Sequence, residues 1–130
     1  LVKDLKLNDV HFLGRISEEE KIKWMQEAWL IVSTSSIEGW GITILEAAAC
    51  NTPAVVYDVA GLRDSVKHME TGILVPPGDI EALAESISTL LTDQEIWKKL
   101  AENALHRAKQ YTWHRTVEKF IKVIKSIVFK

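Results

Sequence analysis

The chain has 130 residues, of which 47% are hydrophobic and 26% are charged, and its formal net charge is −2. This composition is typical of a globular protein, and the length is enough to bury the core of one ordinary domain. The near-neutral charge gives no reason to expect nucleic acid as a partner, and the apolar runs are too short to span a bilayer. A single cysteine, Cys50, excludes an internal disulfide and weakly favours a reducing, cytoplasmic compartment.

Short apolar runs alternate with amphipathic stretches up to the proline pair at 76 and 77. Residues 1–7 resemble the tail of a helix. The pattern then predicts a strand over 10–13, a helix to about residue 28 after a capping box at Ser17, a strand over 29–33, a helix over 43–50, a strand over 53–57, a short helix over 62–67 and a strand over 72–75. Strands separated by helices indicate a parallel sheet with right-handed crossovers.

From residue 79 onward the pattern is entirely helical, with helices predicted over 80–91, 94–110 and 113–128. Asn51 follows the helix over 43–50, and asparagine tolerates the left-handed conformation that ends a helix better than most residues do. We therefore expect that helix to end at Asn51. Four tryptophans at amphipathic or strand positions are expected in the core: Trp24, Trp29, Trp97 and Trp113.

The segment from Glu38 to Glu46 carries the strongest functional signal. Its two glutamates have seven residues between them, and a Gly39-Trp40-Gly41 turn follows the first. The turn follows an apolar run, so we expect it at the carboxyl end of a buried strand, where ligands bind in open α/β sheets. Helix-start amides there bind phosphate, and carboxylates accept hydrogen bonds from vicinal hydroxyls. We therefore predict a phosphate flanked by sugars, with both glutamates facing one crevice.

Five blocks of the sequence resemble the retaining, nucleotide-sugar-dependent glycosyltransferases of the two-domain GT-B type, in the glycogen-synthase-like and mannosyltransferase-like (GT4-type) family. In the family's order the blocks are Val10–Ser17, Ser33–Glu46, Glu46–Cys50, Thr52–Val56 and Thr71–Asp79. The resemblance implies an α/β fold, with a Rossmann-like open parallel sheet flanked by helices and further helices at the C-terminus. It also implies that residues 1–130 form a single domain, part of the C-terminal, donor-binding domain.

The resemblance also implies roles for individual residues. Glu46 would hold the ribose hydroxyls, and Glu38, the candidate catalytic residue, would hold hydroxyls of the transferred sugar by positioning rather than as a nucleophile. The other donor-binding residues would be Gly39, Trp40, Gly41, Ile42 and Thr43. The nucleobase would lie at Gly14, Arg15 and Ile16.

Simpler interpretations of these residues stay open. Both glutamates are also compatible with solvated acids near a helix end, and Arg15 with an ordinary surface arginine. Thr43 is equally suited to be the N-cap of its helix. Trp40 is expected to brace the turn by packing rather than to stack on a sugar.

The resemblance implies a UDP-sugar or GDP-sugar as the substrate. It also implies that no metal or other cofactor is needed, and the absence of an Asp-x-Asp motif agrees with this. The chain begins abruptly, so we expect a fragment that lacks the acceptor-binding N-terminal domain and the family's basic Arg–Lys pair. Such a fragment is expected to be inactive and to self-associate through an exposed sheet edge. We expect the full-length protein in the cytoplasm, and its association with a membrane surface is left open.

Three other functions compete with this one. A nucleotide-sugar epimerase of the same architecture would share the donor site but transfer nothing. A non-catalytic module would only bind the nucleotide sugar. A glycoside hydrolase would also use two carboxylates, but it would not need a helix start that binds phosphate.

Overall fold

The computed structural model describes residues 1–128, which contain three strands and six helices. In chain order these are α1 Glu18–Glu27, β1 Ile31–Ser33, α2 Ile42–Ala49, β2 Ala54–Tyr57, α3 Leu62–Ser65, β3 Gly72–Val75, α4 Ile80–Thr92, α5 Gln94–Ala108 and α6 Trp113–Val128. The strands lie in the order β1-β2-β3, and each is parallel to its neighbour. The predicted α/β fold with a parallel sheet is confirmed.

Helices cover both faces of the sheet, and the central strand β2 shows why. Successive side chains of a strand point to opposite faces. Val56 packs with Ile44 of α2 and Leu62 of α3, whereas Val55 packs on the other face with residues of α4 and α5, among them Leu90. Val55 and Val56 are completely buried. Continuous apolar runs of this kind are typical of parallel strands that are buried on both sides.

The strand predicted over residues 10–13 is wrong, and the sheet has three strands where the sequence suggested four. Within residues 1–128 this segment has no strand partner, and Phe12 is 83% exposed. An apolar run forms a strand only where a neighbour satisfies its backbone groups, and β1 is paired with β2 alone. The helical tail expected over residues 1–7 is also absent. The Leu5 N–H donates to the Leu1 carbonyl in one isolated turn, which ends at Lys6 with φ +50°.

The start of α1 and the end of α2 carry the caps that the sequence predicts. In the capping box of α1, the Glu20 N–H donates to Ser17 Oγ and the Ser17 N–H donates to the Glu20 carboxylate. At the end of α2, Asn51 has φ +65°, which confirms the predicted left-handed conformation. The Asn51 N–H donates to the Ala48 carbonyl, and the Thr52 N–H donates to the Ala47 carbonyl. These two bonds form a Schellman motif, which satisfies the last carbonyls of the helix.

The tryptophans are less buried than predicted. Trp24, Trp29 and Trp113 are 50%, 54% and 86% exposed, and Trp97 is half-buried. Trp29 packs edge-on against Trp97, with their ring centroids 5.7 Å apart, at the border of the core. Trp113 begins α6, whose residues are all exposed. An amphipathic pattern shows which side of a helix is apolar, but it does not show whether another element covers that side.

None of the helices in the described part of the chain is long and apolar enough to cross a membrane.

Candidate functional site

The glycine-bearing turn joins the carboxyl end of β1 to the first residue of α2. Gly41 is the N-cap of α2, with φ +72°, and it provides no side chain to cap the helix. A Cβ atom at Gly41 would lie 2.9 Å from Leu62 Cδ2 and 3.0 Å from Ser65 Oγ. Both the backbone conformation and the close approach of α3 therefore favour glycine. The alternative that Thr43 is the N-cap is wrong, because the helix already begins at Ile42.

The first amides of α2 have no acceptor within residues 1–128. The Gly41 carbonyl accepts from the Ile44 and Leu45 N–H groups, at 3.0 and 3.3 Å, whereas no described group accepts from the N–H of Ile42 or Thr43. Both residues are exposed. Two unpaired amides at a helix start, with the positive end of the helix dipole behind them, can bind an anion such as phosphate.

A second glycine lies directly behind the turn. A Cβ atom on Gly61 would lie 2.8 Å from the carbonyl carbon of Glu38 and 2.9 Å from that of Gly39. Gly61 is also the N-cap of α3, and its φ is +82°. The start of α3 therefore fixes the backbone between Glu38 and Gly39 from one side.

Arg107 of α5 fixes α3 in turn. Its guanidinium donates through Nε to the Ser65 carbonyl at 3.3 Å and through Nη2 to the Asp64 carbonyl at 2.7 Å. The same group lies 5.5 Å from the centre of the Tyr111 ring. Tyr111 also packs edge-on against Trp40, with ring centroids 5.7 Å apart. Trp40 thus joins the turn to the end of α5 by packing.

Glu38 is half-buried beside the free amides. Its Oε1 accepts a hydrogen bond from the Gly39 N–H at 3.1 Å, so the carboxylate is folded back onto its own turn. Glu38 lines a concavity of about 220 Å³ together with Ser33, Gly41 and Thr43. A ligand in this concavity would meet both the carboxylate and the start of α2.

Glu46 faces a different concavity. Its Oε1 lies 3.2 Å from Lys21 Nζ of α1, and it lines a concavity of about 360 Å³ with Lys21, Glu18 and Cys50. The expectation that both glutamates face one crevice is therefore wrong, because their side chains line two separate concavities. Glu38 precedes α2 on the side of β1 and α3, whereas Glu46 lies one turn inside α2 on the side of α1.

The charges around Glu46 affect two neighbouring groups. Hydrogen bonds to Glu18 and Glu46 raise the pKa of the Lys21 ammonium above its usual value, so the ammonium stays charged at neutral pH. Burial, with a smaller contribution from the charge of Glu46, raises the pKa of the Cys50 thiol. Cys50 is therefore protonated and weakly nucleophilic at neutral pH.

The three residues predicted to bind a nucleobase differ in their exposure to solvent. Gly14 and Arg15 are exposed, and Arg15 forms no ion pair within residues 1–128. Ile16 is half-buried and lines a concavity of about 230 Å³, to which Lys21 also contributes. Lys21 therefore borders both the concavity of Ile16 and that of Glu46.

Three residues that shape this site have no predicted role in the sequence: Lys21, Arg107 and Tyr111. A weak signal for Lys21 was its position three residues after Glu18 on a predicted helix, the spacing of an ion pair. No local signal existed for Arg107, because its acceptors lie 42 and 43 residues away in the chain.

Across residues 1–128, no three His, Cys, Asp or Glu side chains are grouped in a way that could hold a metal ion.

Comparison with known proteins identifies the family. A family model described as glycosyl transferases group 1 matches residues 1–107. The chain belongs to this family. The resemblance seen in the sequence is therefore confirmed, and the parallel sheet with its flanking helices matches the C-terminal domains of GT-B enzymes.

Two relatives show how much sequence the chain shares with individual proteins. An exopolysaccharide phosphotransferase of Streptomyces coelicolor is 38% identical over 106 residues, which cover 80% of this chain and 11% of that protein. A D-inositol 3-phosphate glycosyltransferase of Jonesia denitrificans is 31% identical over 114 residues, which cover 88% of this chain and 27% of that protein. The chain therefore spans well under half the length of these relatives.

A protein of Anabaena, HepE, has been solved in complex with UDP-glucose. It superimposes on this chain with a TM-score of 0.82 at 29% sequence identity, and the match covers 98% of this chain and 35% of HepE.

Proposed function

We propose that this chain forms the donor-binding part of a glycosyltransferase that moves a sugar from a nucleoside diphosphate sugar to an acceptor, with retention at the anomeric carbon. One observation carries the proposal. The uncapped start of α2, where the amides of Ile42 and Thr43 have no acceptor within residues 1–128, adjoins a concavity that is lined by both Thr43 and Glu38. An anion and a hydroxyl-bearing group can therefore bind side by side, as they occur in an activated sugar.

The amides would bind the diphosphate. Negative charge builds on the diphosphate as the bond to the sugar breaks, and fixed amide dipoles stabilise that charge without having to reorient. The start of α2 carries no acidic side chain in its first turn that would repel the diphosphate. Gly41 holds the turn close to α3, because a Cβ atom there would lie 2.9 Å from Leu62 Cδ2, and the Thr43 hydroxyl would add a further donor.

Glu38 would hold hydroxyls of the transferred sugar. Its carboxylate lines the concavity next to Gly41 and Thr43, and one of its oxygens has no hydrogen-bond partner within residues 1–128. A carboxylate in this position can accept hydrogen bonds from two hydroxyls and so orient the anomeric carbon. We assign Glu38 this positioning role and do not assign it the role of nucleophile.

Glu46 would hold the ribose and residues 14–16 the nucleobase. Glu46 lies on the second turn of α2, so a nucleotide whose diphosphate lies at the helix start would extend along the helix toward it. Ile16 lines a second concavity, and Lys21 borders both that concavity and the one lined by Glu46. The structure of HepE with UDP-glucose supports a donor of this kind, since that protein shares the fold.

The whole protein's properties are part of the same proposal. We propose that acceptor contacts lie outside this chain, that the isolated chain does not transfer sugar, and that the complete enzyme needs no metal. The relatives support this division, since the chain matches 27% of the D-inositol 3-phosphate glycosyltransferase of Jonesia denitrificans. We propose a cytoplasmic location, with the question of membrane contact to be tested by co-sedimentation with lipid vesicles.

A transfer assay with the full-length protein tests the proposal. UDP-glucose and GDP-mannose are offered with a panel of sugar, sugar-phosphate and polyol acceptors, with and without EDTA, and the product anomer is read by NMR. We expect transfer with retention that is unaffected by EDTA, and a strong loss of turnover in Glu38→Gln. Conversion of the donor alone into an epimer, or inversion in the product, would contradict the proposal.

A further inference from the structure

Lys21 bridges two carboxylates that belong to different helices. Its Nζ lies 2.8 Å from Glu18 Oε2 within α1 and 3.2 Å from Glu46 Oε1 on α2. The Lys21 side chain is 28% exposed, whereas those of Glu18 and Glu46 are 81% and 39% exposed. The most sheltered member of the three is therefore the cation, and it holds Glu46 by one oxygen.

The position of Lys21 is itself fixed. The capping box of Ser17 and Glu20 fixes the start of α1 one turn before Lys21. Near the other end of the helix, the buried Thr52 hydroxyl donates to the Met25 carbonyl and so ties α1 to the end of α2. Both ends of the short helix are anchored, so the ammonium stays close to Glu46.

This geometry leaves part of the Glu46 carboxylate available. No group within residues 1–128 donates a hydrogen bond to Glu46 Oε2, and the side chain borders a concavity of about 360 Å³. A carboxylate has about four acceptor positions, so one bond from Lys21 leaves enough for both hydroxyls of a diol. A Glu side chain that is already held also loses less rotamer freedom when a ligand binds.

We propose that Lys21 is a positioning residue for Glu46 and that, through Glu46, it sets the preference of the donor site for ribonucleotides over deoxyribonucleotides. This inference rests on the proposed function, in which Glu46 binds the ribose. The 2′-hydroxyl is one of the two groups that the oriented carboxylate accepts. A site built to bond a hydroxyl discriminates against a ligand that lacks it, because its own polar group is then left unpaired.

Calorimetry on the full-length protein tests this inference with two pairs of ligands, UDP with 2′-deoxy-UDP and GDP with 2′-deoxy-GDP. The variants are Lys21→Met, Lys21→Arg and Glu46→Gln, and the matched control is Lys23→Met. Lys23 lies on the same helix, and its partner Glu27, at 4.0 Å, is also on α1.

We expect Lys21→Met to weaken the preferred ribonucleotide about tenfold, the size of one charge-assisted hydrogen bond, and to leave the deoxyribonucleotide nearly unchanged. The preference for ribose would then disappear. Lys21→Arg should restore most of it, and Lys23→Met should retain all of it. A general loss of folding would weaken both nucleotides together and would be seen in the melting temperature, so the ratio isolates the positioning role.

The outcomes separate the inference from the function it rests on. If Glu46→Gln removes the preference for ribose while Lys21→Met keeps it, Glu46 binds ribose and the role of Lys21 is wrong. Tighter nucleotide binding by Lys21→Met would also overturn the inference, because Lys21 would then be a competitor of the ribose. If the wild-type protein binds none of the four nucleotides, or Glu46→Gln changes nothing, the proposed function itself fails.

Discussion

Gly61 lies against the carbonyl group of Glu38 so closely that no Cβ atom fits between them. The two residues are far apart in the chain, and this contact packs the start of α3 directly against the backbone of the turn. Because Arg107 anchors α3 through the Asp64 and Ser65 carbonyls, the turn rests on a support that includes α5. The backbone of the turn is therefore supported by α3 and, through Arg107, by α5.

Replacing Gly61 by alanine should destabilise the fold and disturb the site. Gly78 offers a matched control because its φ of +83° equals that of Gly61 within a degree, but a Cβ atom there would meet nothing within 4 Å. Both variants place a side chain at a positive φ, and only Gly61→Ala also creates a clash. We expect Gly61→Ala to lower the free energy of unfolding by roughly 1–3 kcal/mol more than Gly78→Ala does, as for other overpacked sites. Urea unfolding measures both, and equal losses would show that the contact with Glu38 is unimportant.

Substitution of Glu46 and substitution of Glu38 should impair different steps, nucleotide binding and turnover respectively. In the full-length protein, Glu46→Ala should raise the Kd of UDP or GDP itself, because the ribose loses its acceptor. Glu38→Ala should mainly lower kcat and leave the nucleotide Kd close to that of the wild type, because its partner is the transferred sugar. Calorimetry and initial rates separate the two effects. Equal losses of nucleotide affinity and turnover in both variants would contradict this division of roles.

The reactivity of Cys50 should report on Glu46. Burial and the nearby carboxylate raise the pKa of the thiol, so its alkylation by iodoacetamide should increase at a higher pH than in an unfolded control. Glu46→Gln removes the carboxylate charge and should move this midpoint downward. A bound nucleotide should slow the labelling, since Cys50 and Glu46 border the same concavity. Labelling as fast as in the unfolded chain at every pH would show that the thiol is not sheltered.

The 130-residue chain should self-associate through β1. This strand pairs with β2 on one side only within residues 1–128, and Val32 is 41% exposed. An unpaired strand edge invites pairing with another chain. Light scattering should show concentration-dependent association that Val32→Lys reduces. The control is Val117→Lys, which changes an exposed apolar residue of α6 instead. A monomer at high concentration, or a greater effect of Val117→Lys, would contradict the role of the edge.

The sequence predicted correctly those local structures that are determined by residues close together in the chain. The capping box at Ser17, the helix end at Asn51 and the turn at Gly41 each follow from residues within a few positions. The strand over 10–13 was wrong because a strand also needs a partner, which no local pattern provides.

The common crevice for Glu38 and Glu46 was wrong for a similar reason. Which side of α2 becomes a cavity wall depends on how α1 packs against it, and a hydrogen bond from Thr52 to the Met25 carbonyl, 27 residues away, helps to fix that packing. The spacing of two glutamates in a sequence does not contain this information. The contacts of Gly61 and Arg107 are equally remote from the segment they support.

A crystal structure of the full-length protein with UDP-glucose or GDP-mannose tests the central claim most directly. We predict diphosphate oxygens within hydrogen-bond distance of the Ile42 and Thr43 amides, the ribose hydroxyls on Glu46 and the sugar hydroxyls on Glu38. A donor whose diphosphate lies away from the start of α2, or whose ribose makes no contact with Glu46, would contradict the account.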